Sequence, residues 1–478
     1  MTVVGETAKG IRWSSASQCV RQVVQLAATL LLARLLSPSD FGLIGMAAIV
    51  SGFAGQFHDL GTSAAVIQRK ELTQELLSSI FWVNVGFGAA TTAILMLLAP
   101  YVAIFYQEPR ITVIIRVLSL SFCFSSVSIV QQAIFERQLS FATLGRIEIC
   151  AACLSATVGI GSACLGAGAW SLVLQTLSLV AVSSLLLWRS SRWRPKMTFH
   201  WQEVKSVSSF SLNLTGFNIF NYLIRNADNL LIGKFLGAGP LGYYTLAYNI
   251  MLYPLQGISS VVTRVMFPAF SRIQNDDRAL RDAYLKISGA IATLTFPIML
   301  GLWGVTRPFV LVIFGAQWEP LIALLLIFAP LGMVQSIGTT VGIIYQAKGR
   351  TDLLLRWGAA AGVFILAALC LGLQWGIVGV AAAYATASLL LTYANFSIPF
   401  KLIGLPVGAL LKVLWPPFAS SAIMLVSVVL VQWCLPGALA DRAQLLILVP
   451  LGVSCYLLSG WYLNRKQLQQ ILHLIGVQ

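Results

Sequence analysis

Long apolar runs, separated by short polar or glycine- and proline-containing breaks, dominate the chain from residue 11 onward. A helix needs about 20 apolar residues to cross hydrocarbon. By length and punctuation the pattern predicts about 14 transmembrane helices. Their expected extents are 11–35, 41–66, 76–104, 111–135, 141–164, 168–188, 207–235, 241–270, 284–313, 320–345, 352–374, 377–400, 410–433 and 443–463. The runs are continuous rather than alternating, which excludes a spanning β-barrel. Residues 1–10 are short and polar without a cleavable signal pattern, so the first run is expected to stay as the first helix. The fold class is an all-α membrane protein.

Composition agrees: of 478 residues, 58% are hydrophobic and 10% charged, against roughly a quarter charged in soluble domains. The net charge of +15 resembles a nucleic-acid signature, but Lys and Arg accumulate in cytoplasmic loops of inner-membrane proteins and give the same balance. With both termini cytoplasmic, about 23 basic residues fall inside and about 6 outside, a bias that a one-span shift of frame destroys. Trp188, Trp193, Trp375, Trp433 and Trp461 lie at or near expected helix ends, as an interfacial aromatic belt requires. Cys150 and Cys153 match a redox CxxC formally, but they sit mid-helix without a βαβ context and read as small apolar helix residues.

The chain repeats itself. Leu31 to Gly42 aligns without a gap with Leu231 to Gly242, an offset of 200, and Phe135 to Arg146 pairs with Tyr345 to Arg356 at an offset of 210. The unit is therefore about six helices: 1–200 as a first lobe with a basic interfacial linker, 201–400 as a second lobe, and 401–478 as two extra helices and a cytoplasmic tail. Six is even, so the repeats are parallel, related by an axis along the membrane normal, as in many transporters. The junction from Trp188 to Lys205 is basic and Trp-rich, which fits an amphipathic linker on the cytoplasmic leaflet.

Ionisable groups at membrane depth usually face a cavity or each other. Ser14, Ser17 and Arg21 share one face of the first span, and Asn218, Asn221, Tyr222, Arg225, Asp228 and Asn229 make a polar strip on the seventh. One reading makes Arg21 and Arg225 anion partners in a hydrophilic cavity, since the guanidinium fork matches phosphate. The other makes Arg225–Asp228 a structural i, i+3 ion pair, with Arg21 snorkelling to the headgroups. His58 and Asp59 read as the approach to a polar turn, and Arg264 as a headgroup anchor. Arg146 and Arg356 are repeat-equivalent at the cytoplasmic mouth, either anchoring there or attracting an anionic headgroup. Asp59 and Asp228 are taken as the only deep acids. Pro254, Pro297, Pro330 and Pro399 interrupt helices, for gating or for packing.

No phosphate loop, HExxH, nucleophile elbow or credible zinc cluster occurs, so no cofactor or metal is expected and the chain reads as a non-enzyme. Residues 57–68 (Phe-His-Asp-Leu-Gly-Thr-Ser-Ala-Ala-Val-Ile-Gln), Leu31 to Gly42 with its Ala-Arg-Leu-Leu-Ser-Pro-Ser-Asp-Phe-Gly, and Arg225 to Tyr248 continuing to Val265-Met-Phe-Pro268 together resemble the polysaccharide transport family of the multidrug/oligosaccharidyl-lipid/polysaccharide flippase superfamily. The likeness is to the branch exporting colanic-acid-like and xanthan-like repeat units. It implies two six-helix bundles in a V around a central cavity, two further helices, and alternating access. It also implies an undecaprenyl-diphosphate-linked oligosaccharide as substrate at the bacterial inner membrane, with Arg21 and Arg225 meeting the diphosphate and Asn218, Asn221 and Asn229 the sugars. A polymerase and a chain-length regulator are the partners it suggests by analogy, no nucleic acid is involved, and a proton or sodium coupling ion stays open. Two rival functions remain at this point: an organic-cation antiporter of the same superfamily, and a membrane-embedded oligosaccharide polymerase or ligase.

Overall fold

The structure is a computed structural model describing residues 3–57, 66, 72–200, 222–273, 275–435 and 439–465, with backbone alone at 3–16, 256–269, 271 and 272. Every regular element among them is helical. In order they are α1 (Val3–Leu35), α2 (Pro38–Gly55), α3 (Gln74–Tyr106), α4 (Arg110–Ser126), α5 (Ile129–Arg137), α6 (Phe141–Cys164), α7 (Trp170–Ser190), α8 (Ala227–Phe235) and α9 (Ala238–Arg272). There follow α10 (Asp277–Gly304), α11 (Thr306–Ile313), α12 (Leu321–Gly338), α13 (Val341–Ala347), α14 (Thr351–Gly372), α15 (Gly376–Ile403), α16 (Val407–Cys434) and α17 (Asp441–Leu463). Each expected apolar stretch overlaps at least one of these helices. By length and apolarity alone, nine segments among the described residues are fit to cross a membrane, or ten if the bent pair α4–α5, 43° apart, is one span. The second stretch is shorter than expected: α2 ends at Gly55 rather than running to 66, and His58 and Asp59 lie outside the described residues.

Two compact units, Met1–Gly242 and Tyr243–Gln478, divide the chain. In the first, α1 packs on α6, α6 on α7, α3 on α4, and α4 on α7 and α2. A Ser37 cap opens α2: Ser37 Oγ accepts from Asp40 N and Asp40 Oδ2 accepts from Ser37 N at 3.0 Å, the reciprocal capping box. Asp40 Oδ1 also accepts from Ala169 N at 3.0 Å, tying the start of α2 to the turn before α7. At the other end of α3 the segment after α7 is extended. Lys196 N donates to Ser78 Oγ (3.0 Å), His200 N to Ser79 Oγ (2.9 Å), Trp82 Nε1 to Lys196 O (2.9 Å) and Trp193 Nε1 to Gln74 Oε1 (2.8 Å). Pro195 has no N–H to give a helix and biases Arg194 away from helical angles, so 191–200 is a non-helical strap.

In the second unit α10 packs on α12 and α16, α14 on α15, and α16 on α17. Its core gathers Tyr284, Phe296, Ile337, Tyr345, Phe396 and Phe400. Thr293 joins the extra helices to it: its carbonyl accepts from Tyr456 Oη at 2.6 Å and its hydroxyl from Asn464 Nδ2 at 3.0 Å.

Helix ends recur at the sequence's own offsets. α1 and α8 end at Leu35 and Phe235, and α2 and α9 begin at Pro38 and Ala238. α5 and α13 end at Arg137 and Ala347, and α6 and α14 begin at Phe141 and Thr351.

Candidate functional site

Ser17, Arg21, Gln25 and Thr29 follow one another at four-residue spacing on α1 and so share a face. Ser17 is buried, and the next three turn onto a cavity of about 570 Å³ within the first unit. Its other walls are Ser125 on α4, Ser128, Gln132 and Glu136 at and along α5, Glu148 and Ser155 on α6, and Gln175, Thr176, Ser183 and Ser184 on α7. The apolar lining is aliphatic, from Leu144 and Ile147 to Leu179 and Val180.

Within the cavity, Arg21 Nη1 stands 3.9 Å from Glu148 Oε2, both side chains partly exposed. Gln132 Nε2 donates to Glu136 Oε1 at 2.8 Å. The hydroxyl protons are largely spent on helix carbonyls. Thr29 donates to Gln25 O (2.8 Å), Ser128 to Ser125 O (2.9 Å), Ser155 to Ala152 O (3.0 Å), Thr176 to Leu172 O (2.9 Å) and Ser184 to Phe124 O (2.6 Å). The side-chain amides of Gln25 and Gln175 have no partner among the described residues.

Of the expected site residues that the structure describes, only Arg21 is among those lining this cavity. Arg225 is exposed, in a helical turn at 222–225. Asp228 is 5% exposed, with Oδ1 accepting from Asn229 N at 2.7 Å, and Asn229 Oδ1 is buried without a hydrogen-bond partner among the described residues. Asn218 and Asn221 lie outside the described residues; Arg146 and Arg356 are exposed on α6 and α14. Tyr222 Oη donates to Ile49 O at 3.0 Å, holding its turn against α2.

Glu148, two turns into α6, also lines the cavity, and sequence reasoning missed it along with Gln25, Gln132, Glu136 and Gln175. The signal existed: Gln25 and Thr29 continue the Ser17–Arg21 stripe, and Glu148 and Ser155 sit seven apart, on one face of α6.

A chain of many apolar helices with a polar cavity inside one bundle is a multi-pass membrane protein. It belongs to the polysaccharide biosynthesis protein family, whose model matches residues 31–323, so the family likeness read from its motifs holds. It is 29% identical over 444 residues to the lipopolysaccharide biosynthesis protein WzxC of Escherichia coli K12, covering 92% of this chain and 90% of that one. It is 29% identical over 462 residues to the teichuronic acid biosynthesis protein TuaB of Bacillus subtilis 168, covering 95% of each. The succinoglycan biosynthesis transport protein ExoT of Rhizobium meliloti is 28% identical over 76% of this chain and 74% of its own. The fold matches the lipid II flippase MurJ in an inward closed conformation with a TM-score of 0.75 at 16% identity, over 95% of this chain and 99% of that one. An inward-facing multidrug resistance MATE family transporter matches at 0.61 and 15%, over 82% and 96%.

Proposed function

We propose that the protein is a flippase that moves undecaprenyl-diphosphate-linked oligosaccharide repeat units across the bacterial inner membrane, for exopolysaccharide or lipopolysaccharide assembly. The observation that carries this is the cavity of about 570 Å³, lined mostly by polar side chains, inside a membrane-spanning bundle of a polysaccharide-biosynthesis protein. A sugar diphosphate cannot cross hydrocarbon unaided, because each desolvated hydroxyl and charge costs several kcal/mol. Amides, hydroxyls and paired charges stand in for water while the prenyl tail stays in lipid. The named relatives serve lipopolysaccharide, teichuronic acid and succinoglycan biosynthesis, which share the need to export a saccharide. Repeats 1–200 and 201–400 would work as two lobes in alternating access, with 401–478 added to them and both termini cytoplasmic. Ser17, Arg21, Asn218, Asn221, Arg225, Asp228 and Asn229 are the proposed substrate contacts, with Arg146 and Arg356 at the mouth. The chain acts as a transporter rather than an enzyme, drawing on a substrate gradient, a proton or sodium gradient, or a downstream polymerase and chain-length regulator.

The test deletes the gene in its host and treats spheroplasts with a glycosidase that cannot enter. Repeat units that accumulate protected, and become exposed when the wild-type gene returns, are the expected result. Units that reach the outer face but stay unpolymerised would transfer the function to a polymerase or ligase. Unchanged lipid-linked sugars would transfer it to the drug antiporter.

A further inference from the structure

We infer that the first unit's cavity is the saccharide half of the substrate site, holding uncharged sugar rings by hydrogen bonds and leaving the diphosphate elsewhere; this rests on the flippase reading and deepens it. Charge argues first. Among the described residues that line it, Arg21 is the one cation, and Glu136 and Glu148 both face in, so one positive charge meets two negative ones and the net is −1. Arg21 is already engaged by Glu148 at 3.9 Å. A diphosphate brings only acceptors and negative charge, and would be repelled by both carboxylates.

Hydrogen-bonding capacity argues next. A sugar hydroxyl brings one proton and two lone pairs, so its site must accept as well as donate. The serine and threonine protons are turned onto helix carbonyls, and Ser128 Oγ and Ser184 Oγ also meet each other at 3.0 Å, which leaves the Ser155 and Thr176 oxygens to accept beside the two carboxylates. Donors come from the Arg21 fork and from the Gln25 and Gln175 amides on α1 and α7, which have no partner among the described residues. Amides left so at membrane depth call for water or a polar ligand, since a dry amide is penalised. The volume of about 570 Å³ falls within the roughly 300–1,000 Å³ of small-molecule sites. Size alone would also admit an organic cation, but such ligands are held by aromatic faces, and no Phe, Tyr or Trp is among the described residues that line this cavity.

The experiment titrates the purified full chain in nanodiscs with three probes. They are the oligosaccharide released by mild acid from the host's own lipid-linked repeat unit, undecaprenyl diphosphate, and tetraphenylphosphonium. The expected result is that the free oligosaccharide binds, that Gln25→Leu with Gln175→Leu weakens it about tenfold or more, and that undecaprenyl diphosphate binds as to wild type. Melting profiles check folding, and the milder Gln25→Asn with Gln175→Asn should weaken the oligosaccharide in the same direction. Weaker undecaprenyl diphosphate binding in the leucine pair, or tighter binding in Glu148→Gln, would overturn the assignment while leaving a flippase. Oligosaccharide binding unchanged in both double variants would overturn it too. Wild-type protein that takes tetraphenylphosphonium and neither of the other probes would remove the flippase reading itself.

Discussion

Single side chains set what each end of the first unit can tolerate. Asp40 completes the Ser37 capping box and holds Ala169 N, so Asp40→Ala removes the hydrogen bond to Ser37 N and a tertiary hydrogen bond. A hydrogen bond contributes about 0.5–1.5 kcal/mol net, so losing the two should destabilise the fold by about 2 kcal/mol. Thermal unfolding in detergent measures it, and an unchanged profile would show that neither bond matters. Near it, Arg110 donates to Glu108 at 2.8 and 2.9 Å and holds that carboxyl below its ordinary range. A folded-state pKa below the unfolded one adds stability that is present above about pH 4.3 and is lost as pH falls through the folded value. The pair is exposed, so the effect is small, and Glu108→Gln should leave stability at pH 7 nearly unchanged while flattening its acid limb. Arg225 carries the functional prediction at this scale. It has no ion-pair partner among the described residues, so Arg225→Ala should leave folded protein in the membrane yet abolish export in the spheroplast assay. Normal export would end its proposed role.

Helices, more than residues, were legible in the sequence. The expected stretch 141–164 and α6 coincide, and 410–433 lies within α16, because an unbroken apolar run between punctuating residues has no other stable form in lipid. The cavity was legible only in part: the Ser17–Arg21–Gln25–Thr29 stripe stands in the sequence, but which helices meet it does not. Arg21 stood out because a charge at membrane depth is rare, whereas Gln25, Gln132 and Gln175 are uncharged, and Glu148 sits near the start of α6, whose inward face only packing decides. The repeat carried more than the sequence alone revealed. Gly42 opens against the carbonyl of Ala238, and Gly242, at the same place in the second repeat, against the carbonyl of Pro38; a Cβ at either would collide with that backbone oxygen. Gly237, where Ser37 stands in the first repeat, has φ +91°, a left-handed angle that favours glycine over a side-chain cap. The two glycines therefore share one contact between the first turns of α2 and α9. Gly42→Leu or Gly242→Leu should force that contact apart and lower both melting temperature and export. Since each variant opens the same contact, Gly42→Ala with Gly242→Ala should destabilise by less than the two singles added. Strict additivity in a double-mutant cycle would show the glycines to be independent.

At the scale of the molecule, the first unit has two chemically distinct ends. α3 has 33 residues, about 50 Å at a rise of about 1.5 Å each, longer than the roughly 30 Å of hydrocarbon. Its start is clasped by the basic strap through Gln74, Ser78 and Trp82, with Arg194 over the Trp188 ring at 5.2 Å. Beyond its other end, at Tyr106, lie Glu108 and Arg110, and Lys234 Nζ donates to Phe105 O. The basic, Trp-rich end is the one that lysine and arginine bias would keep in the cytoplasm, and the Glu108 end would then face outward. Single cysteines in a background with the eight native ones replaced by serine test this. Glu108→Cys should react with a membrane-impermeant maleimide on intact spheroplasts, and Arg194→Cys only after permeabilisation. The reverse pattern would invert the chain in the membrane, and with it the direction in which the cavity must load. Labelling of both from outside would mean that α3 does not span, leaving the polar cavity without the hydrocarbon barrier that gives it a purpose.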